Sequence, residues 1–435
     1  MLDKLRNITI KSISENNLSP STFYPFSNKD TSAHIDYNLK SIIGLLVSYI
    51  TERKMPKDFS FLSFKNVCLS AFENELTDPS AVSVLESVFF PNDSMPTFSL
   101  ILFQAHVPDT KSNKVFDIFK LMMKQNNYAI SFNTKLNFLE SRIVKQFEQV
   151  LIDNKHNDQT VSYLPFMDDL FTKDIAFLAN NTHYFTQHAE QFLRLYLFLY
   201  CSQLALNLNP HTFETPVSRP LYFILNYEKA SNERKKLVYE GYRTLYEHAK
   251  YIFPYLSFLE TLMKITENKS LRLYELATLL EDTQETIDIL REFESKFRLV
   301  RKLEGNVIES ISTKEALTSL LNAAMEQFRD QSSRKDIFEN YRRAFERQVA
   351  EPFIQGRGRF GKVLVLEQDT LLLLTNICIA EQKQMRFQDL MVQFENRGVY
   401  FDQQSRMALI ELYERVGNID RKSDSGDAVY VKTTL

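Results

Sequence analysis

Apolar side chains recur along this chain at the three-and-four spacing of a helix surface. Leu39, Ile42, Ile43, Leu46 and Ile50 form one such stripe; Leu136, Leu139, Ile143, Phe147 and Val150 form another. The same period predicts a long helix over 183–206 and a second over 230–250, each bounded by Asn, Ser or Pro. Apolar runs at 59–64 and 98–105 fit a strand or a buried helix, because period alone does not separate the two. Residues 11–36, rich in Ser, Asn and Pro, read as an irregular arm. Residues 1–245 read as one helical domain.

Beyond this point a new order of elements occurs twice. In the first copy, residues 246–325, Leu271-Arg272-Leu273 is extended. It leads to a short helix from Tyr274 to Leu280, a turn at Glu281-Asp282, and a longer helix from Thr283 to Lys296. A hairpin follows, with strands at 298–303 and 307–311 turning at Glu304-Gly305-Asn306. In the second copy, residues 361–435, a strand from Lys362 to Leu366 precedes an apolar helix from Asp369 to Ala380. A short helix from Gln388 to Asn396 ends at Gly398. Asp402 caps a longer helix that Gly417 terminates, and a hairpin over 418–433 turns at Ser423–Asp427. Helix, helix–turn–helix, hairpin is the order of a winged helix. Between the copies a charged helix, 313–353, reads as a connector, with residues 326–360 forming the link and its Gly-Arg loop. The predicted fold is mainly α: a helical N-terminal domain followed by two winged-helix-like modules with short β-hairpins.

Composition narrows the function classes. In 435 residues, 44% are hydrophobic and 25% charged, the balance of a globular chain. The net charge of −3 gives no global field for nucleic acid or membrane, so any such contact needs a local patch. There are 35 Phe and 20 Tyr but no Trp, which suits aromatic filling of helix seams. Of nine glycines only Gly44 and Gly241 precede residue 300, too few for the phosphate turns of a doubly wound nucleotide fold. The widely spaced Cys68, Cys201 and Cys378 suggest a reducing compartment. The charged start Met1–Arg6 is no signal peptide, and the apolar run Leu195–Cys201 is too short to span a bilayer. A cytoplasmic protein without membrane contact is expected.

Charge argues against DNA reading by the modules themselves. The second recognition helix carries Asp402, Glu411 and Glu414 against Arg406 and Arg415. The first carries Glu285, Asp288, Glu292 and Glu294 against Arg291 and Lys296. Helices entering the major groove ordinarily bring Arg or Lys. The candidate phosphate contacts lie elsewhere. Residues 329–362 hold nine bases against five acids, among them Arg342, Arg343, Arg357, Arg359 and Lys362. The first wing adds Arg298, Arg301 and Lys302. The competing reading is a solvated helix face laced by i,i+4 pairs such as Arg342 with Glu346.

No catalytic or metal constellation emerges, and no cofactor or small-molecule substrate is expected. Gly356–Lys362 matches G-x-x-x-x-G-K, but Val363 stands where magnesium needs Ser or Thr, and the motif precedes a strand instead of following one. His183 and His188 are five apart, out of step for a shared ion on a helix. Asp168 and Asp169 are expected in solvent. Pro108-Asp109 has no following nuclease strand, and no Ser or Cys sits in a nucleophile elbow.

Four stretches, Gly356-Arg357-Gly358-Arg359, Lys362–Leu366, Arg397–Asp402 and Arg421–Val431, resemble DptG, a subunit family of the bacterial DNA phosphorothioation-dependent restriction system. The resemblance implies antiviral defence. It implies a non-catalytic subunit that works with DptF and DptH, which carry the ATPase, helicase and nuclease work, against DNA lacking phosphorothioate. It carries over no catalytic residue. The alternative is a stand-alone, sequence-independent DNA-binding or transcription-regulator-like winged-helix protein.

Overall fold

The computed structural model describes residues 2–10, 13, 22–74, 79–123, 135–156, 161–209, 211, 213–268, 271–328, 334–421 and 429–435. They are mainly helical, with a few small sheets. At the centre runs Thr182–Asn207. From Leu195 to Ala205 every side chain is buried, as a helix apolar on all faces requires. The run too short for a bilayer is therefore the axis of the core, and no helix among the described residues is long and apolar enough to cross a membrane. The main core is contiguous in space and draws on residues from Leu5 to Val431.

A lobe with its own smaller core leans on this body. Phe64, Cys68, Phe72, Phe90, Leu102, Ile143, Phe147 and Leu151 meet there, carried by Phe61–Glu73, Leu100–Ala105 and Phe138–Val150, with Phe90 just after Pro79–Phe89 and Leu151 just after Val150. The two ambiguous apolar runs thus resolve into the start of an α-helix and a 3-10 helix. Two short strands, β1 (Arg53–Lys54) and β2 (Ile152–Asp153), pair antiparallel beside them. Gly44 lets Leu39–Thr51 lie directly on the 3-10 backbone: a Cβ there would stand 2.3 Å from Phe103 O. Residues 22–38 contain no helix or strand, as expected of the arm, yet Phe23, Tyr24 and Phe26 are buried and anchor it.

The second sheet joins the two ends of the chain. β3 (Tyr222–Leu225) lies between β5 (Lys362–Leu366) and β7 (Tyr400–Phe401), parallel to both, and β4 (Ile354–Gly356) pairs antiparallel with β5. Hydrogen bonds thus cross from the 1–245 segment into the 361–435 segment. The last segment runs Gln368–Ile379, β6 (Gln384–Arg386), Phe387–Asn396, β7, Gln403–Arg415, β8 (Ile419–Arg421), β9 (Val429–Lys432). Its antiparallel sheet has the order β6-β9-β8, so the first strand pairs with the last. Asp402 caps Gln403–Arg415 by accepting the Ser405 N–H at 3.0 Å, as its position predicts. The expected turn at Ser423–Asp427 lies outside the described residues.

Three expectations are corrected. The hairpin of the first copy does not form. Gln284–Arg301 continues through its first strand because Val300 extends the buried stripe of Ile287, Leu290, Phe293 and Phe297, which packs on Thr313–Glu326. The helix ends at Lys302 (φ 55°), with Leu303 N–H on Arg298 O at 3.0 Å. The 230–250 helix is broken at Gly241, where a Cβ would stand 2.3 Å from Leu237 O, leaving Lys235–Glu240 and Tyr242–His248. The 313–353 connector is two helices, Thr313–Glu326 and Lys335–Phe345. A π-turn and a 3-10 turn containing Pro352 follow; proline lacks the N–H that a continuing α-helix needs.

Candidate nucleic-acid interface and the seam beside it

The candidate cations fall into two groups. In the first, Arg298 stands on the last turn of Gln284–Arg301, not on a wing. It bonds Glu294 at 2.7 Å and Glu326 at 2.9 Å, with its side chain 11% exposed. Arg301 is half-buried over the Phe297 ring at 5.6 Å, and burial together with nearby Arg334 pushes its pKa down. Lys302 is exposed. Only Lys302 of the three presents a charge freely to solvent.

The second group surrounds the β4–β5 hairpin. Arg342 stacks over the Tyr246 ring at 4.1 Å and pairs with Glu339 at 3.1 Å and Glu247 at 3.5 Å. Lys362 pairs with Glu346 at 2.5 Å and lies over the Tyr242 ring at 5.6 Å. Burial pushes Glu346 up, but hydrogen bonds from Lys362 and Tyr242 outweigh it and hold this carboxyl below its ordinary range. Arg357 donates to the Asn226 carbonyl. Arg343 reaches only Asn340, while Arg347 and Arg359 are exposed with no hydrogen bond or ion pair among the described residues. The i,i+4 partner expected for Arg342 is wrong in detail: Lys362 takes Glu346. Arg343, Arg347 and Arg359 remain as the accessible cations.

The G-x-x-x-x-G-K stretch is the hairpin turn itself. Three of its amides are spent internally: Arg357 N–H on Gly361 O at 2.7 Å, Phe360 N–H on Arg357 O at 3.1 Å, Gly361 N–H on Gly358 O at 3.1 Å. A phosphate cradle needs such N–H groups pointing outward. His188 bonds Gln191 and lies against Tyr184, and no group of three metal-ligating residues occurs among the described residues. Asp168 is buried, against the solvent expectation, while Asp169 is exposed. Asp109 caps Thr110–Met122. The three cysteines are free and buried, and burial pushes the Cys68 thiol up to about 12, away from a reactive thiolate.

The densest polar assembly is one the sequence did not announce. Arg234 donates to both Asp402 oxygens, at 2.7 and 2.6 Å, to Ser405 Oγ at 2.6 Å and to Glu228 at 3.1 Å. Ser405 Oγ donates in turn to Glu228 at 2.8 Å. Burial pushes Asp402 up, yet the Arg234 and Ser405 bonds hold it below its ordinary value. These bonds tie Asp402 and Ser405, at the N-terminal end of Gln403–Arg415, the expected recognition helix, into the body, and Ser405 is fully buried. Tyr227 extends the cover: its hydroxyl donates to Ala408 O at 3.1 Å, and Arg415 lies over its ring at 5.3 Å. The outward positions of that helix are Gln403, Gln404, Met407, Glu411, Glu414 and Arg415.

A second buried bridge ties the same segment to the helical body. Arg397 holds Asp174 through two bonds, at 3.0 and 2.6 Å, and Tyr196 donates to the same carboxylate. Both charged side chains are at most 3% exposed. Burial pushes Asp174 up against the opposing pull of Arg397. Arg397 and Asp402 stood in quoted motifs, but Arg234, Glu228, Asp174 and Tyr196 carried no signal. A buried ion pair depends on long-range contact, which a single sequence does not display.

No protein-family model and no curated protein matches the chain.

Proposed function

We propose that this protein is a non-catalytic bridging subunit of a DNA phosphorothioation-dependent restriction complex, docking companion subunits such as DptF and DptH. The C-terminal segment serves as a winged-helix-like docking module in this reading. Its support is the order helix–β6–helix–β7–helix–β8–β9, in which β6 pairs with β9 while β7 joins the other sheet. The observation that carries the proposal is the enclosure of Asp402 and Ser405 by Arg234. Recognition helices reach base edges with their N-terminal residues; here Asp402 and Ser405 are tied inward at that end, the exposed Gln403 and Gln404 bring no positive charge, and Met407 (57% exposed), Glu411 and Glu414 face out. An exposed apolar side chain followed on the same helix by two exposed carboxylates suits a protein partner better than a phosphate row.

Co-expression of the three chains tests this. The complex is expected to co-purify, and Met407→Glu is expected to release the companion while leaving the melting temperature unchanged. A chain that purifies alone in the presence of both companions overturns the proposal.

A second reading, sequence-independent DNA contact, is favoured by the exposure of Arg343, Arg347 and Arg359. Its mark is affinity that falls with salt whatever the sequence.

A further inference from the structure

A cavity of about 400 Å³, within the span of small-molecule sites (~300–1,000 Å³), opens where the central helix, the 3-10 turn at Pro352 and the start of Gln368–Ile379 meet. Its floor is apolar: Phe103 and Phe353 are 5% and 4% exposed. One wall is the outer face of Thr182–Asn207, which contributes Glu190, Gln191 and Arg194. Gln191 Nε2 donates to Thr370 Oγ1 at 3.0 Å, fixing the opposite wall to the first.

Glu190 and Arg194 are the anomaly. They stand one helical turn apart, the spacing at which opposite charges ordinarily pair. They form no ion pair, and neither has a hydrogen-bond partner among the described residues. Both are half-buried. A guanidinium with five N–H donors and no acceptor asks for an anionic group. A carboxylate beside it, with a second carboxylate, Glu367, in the lining, repels a bare anion and asks for a cationic one.

We infer that this cavity binds a free α-amino acid with an apolar side chain. Its carboxylate meets Arg194, its ammonium meets Glu190, and its side chain lies on Phe103 and Phe353. The two ligand charges sit on one carbon, matching two protein charges on one face of one helix. The inference is independent of the bridging role, and no covalent step is involved.

Isothermal titration of the 435-residue chain with L-leucine and L-phenylalanine provides the test. Saturable binding at one site is expected. Glu190→Gln and Arg194→Gln are each expected to weaken it about ten- to a hundredfold, the range for a lost charged hydrogen bond. N-acetyl-leucine and leucinamide, which each lack one ligand charge, are expected to fall by the same order on the unaltered protein. These blocked ligands keep the test decisive if a variant fails to fold. Absence of heat with either amino acid at 10 mM ligand (on the order of the weakest useful affinity), or equal binding of N-acetyl-leucine and leucine, overturns the inference.

Discussion

Arg234 and Asp402 form a two-pronged ion pair, at 2.7 and 2.6 Å, between the loop after β3 and the residue that caps the helix following β7. The pair is nearly enclosed, with side chains 3% and 14% exposed. Removing one member of such a pair leaves a buried charge behind. Arg234→Met is expected to lower unfolding stability by about 3–5 kcal/mol, read by urea denaturation. A loss under 1 kcal/mol would mean that water replaces the guanidinium freely.

Acid should dissolve the same pair. The Asp402 pKa is held below its ordinary 3.8, so its contribution is present above that value and is lost as pH falls through the lower, folded one. The stability gap between the unaltered protein and Asp402→Asn is expected to be widest above about pH 5 and to close towards pH 2. Melts across that range check it, and a gap independent of pH contradicts it.

The Arg397–Asp174–Tyr196 cluster permits a sharper test. Arg397→Met alone is expected to cost about 3–5 kcal/mol. Adding Asp174→Leu and Tyr196→Phe removes the stranded side-chain polar groups, leaving only the Gln393 carbonyl that Arg397 also bonds, and is expected to recover most of that loss. A triple variant weaker than the single one would show that the cluster adds net stability of its own.

Gly44→Ala is expected to destabilise by about 1–3 kcal/mol, because the new Cβ meets the Phe103 carbonyl oxygen at 2.3 Å. An ordinary exposed glycine in a helix gains from the same change. The sign of the shift in melting temperature therefore reports whether this helix–backbone approach exists in solution.

Two arginines that composition treats alike should separate in a gel-shift series. Arg359→Ala is expected to weaken DNA binding and flatten its salt slope, since that side chain is exposed. Arg298→Ala is expected to leave the slope unchanged and lower stability, since Glu294 and Glu326 already hold it. Equal effects from both contradict the division of the cations.

The helices were the legible part of this chain. The Leu39 stripe, the central helix and the Asp402 cap follow from local period and capping chemistry, which neighbouring residues express. The errors are long-range. Arg298 to Ile311 alternates like a hairpin, but the neighbouring helix packs against the buried face that Val300 extends in helical register. The parallel placement of β3 was not foreseen, because Tyr222–Leu225 shows no mark of its partners. The candidate cations were half legible: a sequence counts charges, whereas only the fold shows which carboxylate each one meets. Arg342 and Arg298 are neutralised inside, and Arg359 is not.

The position of β3 also governs the order in which the protein can be made. The strand emerges from the ribosome before both of its neighbours, β5 and β7, and until they follow it exposes unpaired edges on both sides. The nascent chain must keep an apolar strand, Tyr222–Leu225, from pairing with another copy during that interval. Pairing this distant in sequence is slow to close. Refolding of the whole chain should therefore lag behind its helix formation, and chains cut off before residue 362 should aggregate.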